Sequence, residues 1–189
     1  MKKIAALLFL SAVFAAPVFA ADDEGIYVGV DVGSAHANFP SNYIGQVTSS
    51  ISPTSGALIG YQFDKYWGFE GQYTSAGEVD TVNGANTTKI KSEIYTLDFV
   101  FNYPLSDAFS LYGKAGYGYN TTKVDSTTSN YVGTERDLKT YGLGGQFKVF
   151  SNMGIRFGWD SYFAAFGDTS GNVYKYNMDV YSLAAIFKF

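Results

Sequence analysis

The chain of 189 residues carries a formal charge of -4, from 13 basic and 17 acidic residues, and 47% of it is hydrophobic. An acidic chain without a basic tract excludes nucleic acid as a natural partner, and the lack of cysteine excludes a disulfide framework. Aromatic residues make up 18% of the sequence with only two Trp among them, a load suited to alternating strands in lipid.

In chain order, Lys2 and Lys3 precede an apolar run from Ile4 to Ala16, then Pro17 and small residues around Ala20. This is the order of a secretory signal, residues 1–20, with an apolar run too short to span a bilayer. Its removal leaves residues 21–189 as a single domain, with 11 basic residues (13 less Lys2 and Lys3) against 17 acidic ones. No later apolar run reaches the roughly 18 residues of a membrane helix.

From Ile26 onward the pattern has period 2. The first strand sets Ile26, Val28, Val30 and Val32 against Tyr27, Gly29, Asp31 and Gly33. A polar stretch from about His36 to Thr54 leads to a second strand with Ala57, Ile59, Tyr61 and Phe63 outward. After a turn at Asp64-Lys65-Tyr66, the third returns with Trp67, Phe69, Gly71 and Tyr73. A polar loop from Ala76 to Thr88 precedes a fourth strand carrying Tyr95, Leu97, Phe99, Phe101 and Tyr103. The turn Pro104 to Ala108 joins it to a fifth with Phe109, Leu111, Gly113, Ala115 and Tyr117. A third loop covers Thr122 to Glu135. The sixth strand shows Tyr141, Leu143, Gly145, Phe147 and Val149, and the seventh, after Ser151-Asn152, shows Met153, Ile155, Phe157 and Trp159. A fourth loop, Ala164 to Tyr176, precedes the closing strand, with Tyr181, Leu183, Ala185, Phe187 and Phe189 on one side.

Short turns alternating with long Ser/Thr/Asn-rich loops give an even strand number with both termini on the short-turn side. No outward position in these windows is charged, whereas Asp31, Glu70, Asp98, Lys114, Lys148, Arg156, Asp160 and Lys188 all point inward. Phe and Leu in mid-strand with Tyr or Trp toward the ends read as a lipid band with interfacial girdles. Tyr95 to Tyr103 covers about 26 Å of strand, or about 20 Å of height at a tilt near 40°. Lipid offers the backbone no hydrogen bonds, so the sheet must close, the last strand against the first. The pattern predicts an all-β fold: an eight-stranded antiparallel transmembrane up-and-down β-barrel. Its interior is only wide enough to fill itself, so the inner charges should pair in a salt-bridge and water network.

The closing run Ser-Leu-Ala-Ala-Ile-Phe-Lys-Phe (182 to 189) resembles the last strand of the OmpA-type eight-stranded outer-membrane barrels. Residues 56 to 63, 68 to 70, 102 to 105 and 155 to 157 resemble further strands of that family's transmembrane domain. The resemblance implies that Tyr181, Leu183, Ala185, Phe187 and Phe189 are an assembly signal read by the barrel-assembly machinery. It also implies that an inward Glu and Arg, here Glu70 and Arg156, pair to block the lumen. Lys114 matches a further inward Arg, while Val100 stands where the family has an alternative Lys partner for the Glu. The resemblance covers the transmembrane domain only, so wall anchoring through a second domain is not expected.

Other candidates are weaker. Lys89, Lys91, Lys123 and Lys139 share the lipid-facing parity near the long-loop end, where they could meet lipopolysaccharide phosphates; Glu93 and Asp137 could instead balance them in a solvated rim. Ser34 and His36 share one face of the first strand, and His36 is the only histidine. A serine-type site would also need an orienting acid and an oxyanion hole. With one His and no Cys, no metal cluster or cofactor is expected. Gly142-Leu143-Gly144-Gly145 lies within a strand, which suits room for larger inner neighbours better than a phosphate loop. The expected protein is a monomeric, non-catalytic surface barrel of the outer membrane. Its partners would be lipid, lipopolysaccharide and a host or phage ligand at loops carrying Glu78, Asp80, Asp125, Glu135 and Asp168. The alternatives are a narrow pore gated at Glu70 and Arg156 and, less favoured, a lipid A-modifying enzyme.

Overall fold

Alternation of large apolar and small or polar residues builds one continuous antiparallel sheet. The computed structural model describes residues 24–38, 51–83, 86–126, 130–132, 136–167 and 173–189. The signal segment, Glu135 and Asp168 lie outside them. The strands are β1 (Gly25–Asn38), β2 (Ile51–Gln62), β3 (Trp67–Asn83), β4 (Asn86–Pro104), β5 (Phe109–Ser126), β6 (Asn130–Val132), β7 (Arg136–Phe150), β8 (Met153–Gly167) and β9 (Val173–Lys188). Eight of them form the wall; the three-residue β6 pairs only with β5, beyond it. The sheet closes where β1 meets β9, from Tyr27↔Lys188 to Asn38↔Asn177. At the seam the amide of Phe189 donates to the carbonyl of Ile26 at 2.9 Å. Gly25 has φ 139°, and a Cβ there would stand 2.6 Å from the Phe189 carbonyl oxygen, so glycine is required where the two ends of the wall clasp.

The register fixes the barrel's stagger. The row Val28, Ile59, Gly71, Leu97, Tyr117, Lys139, Phe163, Asn177 returns to β1 at Asn38. The shear is therefore 38 - 28 = 10 residues. A shear of this size with eight strands tilts them by about 40°, and the row climbs about 24 Å in one circuit.

Burial is inside out relative to a water-soluble protein. Leu97 is 64% exposed, Phe157 49% and Phe99 42%, while Glu70 and Asp98 are 0% exposed. Tyr73, Tyr95 and Tyr119 form a girdle toward the long-loop end, with ring centroids 4.9 Å apart in both pairs. Tyr61, Phe63, Trp67 and Phe101 form the opposite girdle. The short turns are tied by side chains: the Asp64 carboxylate accepts from the amides of Tyr66 (2.7 Å) and Trp67 (2.8 Å), and the Ser106 hydroxyl from Phe109 (3.0 Å).

The loops are shorter than the polar composition suggested. β3 and β4 stay paired up to Asn83↔Asn86, and β5 runs to Ser126, through stretches expected to be loop. The other two loops shrink too, because β1 reaches Asn38, β2 starts at Ile51, β8 reaches Gly167 and β9 starts at Val173. Above the girdle the sheet is in water, so polar side chains on both faces cost nothing and the period-2 signal fades while pairing continues. A bulge between Ala76 and Val79, where residues 77 and 78 oppose the single residue Lys91, marks this departure in β3.

Candidate functional site: the charged interior

Each inner charge sits on a strand whose next neighbour offers space. Asp31, Asp98 and Asp160 are each in register with a glycine: Gly56, Gly116 and Gly142. A Cβ on those glycines would stand 2.6, 2.5 and 2.0 Å from the carboxylate oxygens. Tyr27 lies likewise over its partner Gly60, and Tyr112 over Gly144. The inner glycines, Gly142 and Gly144 among them, are thus the floor over which large inner side chains fold, while Gly145 lies under the Phe157 and Phe109 rings on the outer face.

Six charges are buried together: Asp31, Glu70, Asp98, Lys114, Arg156 and Asp160. The guanidinium Nη1 of Arg156 donates to Glu70 Oε2, the oxygen that also accepts from the Tyr27 hydroxyl at 3.0 Å. Arg156 Nε donates to Gln146 Oε1 at 3.2 Å, and the cation lies 4.7 and 5.5 Å from the ring centroids of Tyr112 and Tyr27. Lys114 Nζ donates to Gln72 Oε1 at 2.5 Å and stands 3.1 Å from Asp160 Oδ1 and 3.6 Å from Glu70 Oε1. Thr96 donates to Asp98 Oδ2 at 2.7 Å. Val100 is fully buried and apolar, so it gives Glu70 no alternative cation.

The other two inward charges stand apart. Lys148 is exposed and Lys188 half-buried, both lining a cavity of about 560 Å³ at the short-turn mouth. Parity puts them on the inner face, but their positions at the ends of β7 and β9 place them in water. At the other end the lumen is filled by Ala35, Ala37, Ala76, Ile94, Leu138, Tyr162, Met178 and Val180, interleaved with the buried polar residues Ser52, Thr54, Asn120 and Thr140. Tyr27, Gln72, Thr96, Tyr112 and Gln146 complete the interior network. Their inward parity was legible; which of them meet depends on register.

The remaining candidates are on the outer face. Lys91 is exposed and stands 4.0 Å from Glu93. Lys89 is in register with Asp80 on one side and Asp125 on the other, and Lys123 with Lys91. Lys139 is exposed and in register with Tyr117 and Phe163, so it lies within the aromatic girdle rather than above it. Ser34 and His36 share the outer side of β1; His36 is in register with Asp179, and Ser34 with Tyr181. Among the described residues no three His, Cys, Asp or Glu side chains converge on a metal position. The closing-strand residues Tyr181 and Leu183 are exposed, and Ala185, Phe187 and Phe189 half-buried.

Comparison with known proteins agrees with the architecture. The sequence profile described as "Outer membrane protein beta-barrel domain" matches residues 5–189. Neisserial surface protein A superposes with a TM-score of 0.70 at 18% identity, over 87% of this chain and 97% of that one. Ail, the attachment invasion locus protein of Yersinia pestis, gives 0.57 at 20% identity over 88% and 99%. OprG from Pseudomonas aeruginosa gives 0.57 at 16% identity over 90% and 98%. No curated protein sequence matches the chain.

Proposed function

Because the chain belongs to the outer membrane protein beta-barrel family, we propose that it is a monomeric, non-catalytic surface protein that meets partners through its extracellular end. The observation that carries this reading is the continuation of β3, β4 and β5 above the aromatic girdle. There, among the described residues, β3 is paired to β4 alone from Val79 to Asn83, since its pairing with β2 stops at Ala76. Such a projecting sheet offers backbone edges to host, phage or neighbouring lipid. The test compares cells displaying the native barrel with cells displaying one in which Val79 to Ile90 is replaced by a tight turn. Adsorption of phage and adhesion to host matrix proteins should fall in the second, with heat-shifted gel mobility unchanged. Equal adsorption and adhesion across the panel would sink the reading.

A narrow pore is the second reading, favoured by the buried pair of Glu70 and Arg156 in a polar mid-section. The large buried side chains toward the long-loop end, Ile94, Leu138, Tyr162 and Met178, weigh against it, because they fill the lumen above the charges. Planar-bilayer recordings should be silent for the native protein; conductance steps that change on Glu70→Ala would restore the pore. A lipid A-modifying role for Ser34 and His36 ranks third, and unchanged lipid A mass spectra in expressing cells would remove it.

A further inference from the structure

The cavity at the short-turn mouth differs in sign from the interior behind it. Its charged lining residues are Lys65, Lys148, Lys188 and Asp107, a formal sum of 3 - 1 = +2. In the buried interior, by contrast, Asp31, Glu70, Asp98 and Asp160 outnumber Lys114 and Arg156.

The floor of the cavity is an amide with a fixed direction. Gln146 Oε1 accepts from Arg156 Nε at 3.2 Å, so its carbonyl side is committed to the guanidinium behind it. Its Nε2 lies beside Gly154, 3.6 Å from where a Cβ on that glycine would stand, and both residues line the cavity. The group left for the cavity is a donor, and the charged hydrogen bond behind it polarises it further.

Register sets a cation on either side. Lys148 is the next inward residue after Gln146 on β7 and is in register with Gly154 of β8, which is in register with Ile186 of β9. Lys188 is the next inward residue after Ile186 and comes in from the seam, its Cε 3.6 Å from the Cβ position of Gly25. Gly154 puts no side chain between them. The result is a notch with an amide donor at its base and a lysine on each flank, while Lys65 adds positive charge from the first turn.

We propose that this notch binds a phosphate group, as free orthophosphate or a small phosphate monoester, with Gln146 Nε2 and Lys148 as its principal partners. Such a group carries about -1.5 to -2 charges at pH 7 and several acceptor oxygens, which matches the +2 of the lining. Ammonium groups serve phosphate as point charges, without the planar fork that arginine needs.

The test uses the full mature barrel refolded in micelles of an uncharged glycoside detergent, because phospholipid head groups would themselves compete. Equilibrium dialysis against radioactive orthophosphate should show saturable binding. Glycerol 3-phosphate should displace it, and acetate at matched ionic strength should not. Lys148→Glu should weaken binding by about tenfold or more. Gln146→Glu, which keeps an acceptor for Arg156 but removes the outward donor, should do the same, with heat-shifted gel mobility unchanged in both. Lys91→Glu, the same change of charge at the opposite end of the barrel, should bind as the native protein does. Should either mouth variant fail to fold, Lys148→Gln takes its place and should weaken binding severalfold. Absence of saturable phosphate binding, or equal weakening by Lys148→Glu and Lys91→Glu, overturns the site; displacement by acetate as readily as by glycerol 3-phosphate overturns its preference for phosphate.

Discussion

At the residue scale the interior is governed by pairs. Glu70 is the hub, in contact with Arg156, Tyr27 and Lys114. Removing one member of such a buried pair leaves its partner uncompensated, at a cost of about 3–5 kcal/mol. Glu70→Ala should therefore lower the urea midpoint of the vesicle-embedded barrel by an equivalent amount. Glu70→Ala with Arg156→Met should recover part of it, and a single variant as stable as native would contradict the hub. The cross-strand glycines give a second, sharper test. The three atoms nearest a Cβ at Gly60 would all belong to Tyr27, the closest at 2.1 Å. Gly60→Ala should cost about 1–3 kcal/mol by overpacking. In Tyr27→Ala the same change should cost much less, a coupling that a double-mutant cycle measures and that strict additivity would refute.

At the element scale, what sequence could and could not reveal has a physical boundary. Inside lipid each strand meets two different media, so parity alone placed Leu97, Phe99 and Asp98 on their observed faces. Beyond the girdle both faces meet water, and the hairpin up to Asn83 and Asn86 looked like loop. Depth was equally hidden: Lys148 has the same inward parity as Lys114, yet one is in water and the other buried. The pairing of Asp31, Asp98 and Asp160 with glycines needed the register, which composition does not carry. The closing strand supplies a prediction of its own, because Phe189 both seals the seam and ends the proposed assembly signal. Phe189→Ser should reduce the heat-modifiable barrel recovered from outer membranes while refolding into detergent proceeds as in the native protein. Equal losses in both would reassign the residue to seam packing.

At the scale of the whole molecule, stagger and depth combine. A shear of ten residues lifts Lys139 to the girdle at the long-loop end although its row contains Val28 near the opposite end. Of the four outer lysines, Lys91 has Glu93 nearby and Lys89 has acids in register on both sides, whereas Lys139 has aromatic neighbours in its row. Lys139→Glu should therefore reduce lipopolysaccharide co-purification more than Lys91→Glu, as read by phosphate content of the purified protein. Equal retention by the two would dismiss the contact.

Buried side chains close the lumen on both sides of the charges, Ile94, Leu138, Tyr162 and Met178 toward the long-loop end and Tyr27, Leu58 and Ile186 toward the short turns. The cavity at the short-turn mouth is lined by Gln146, Lys148 and Lys188 and stops short of the six buried charges. A small water-borne thiol reagent should accordingly reach a cysteine placed at Gln146 from the periplasm, while intact cells treated from outside leave it untouched. Water entering by the short turns thus reaches the threshold of the polar heart, which is itself closed to solvent.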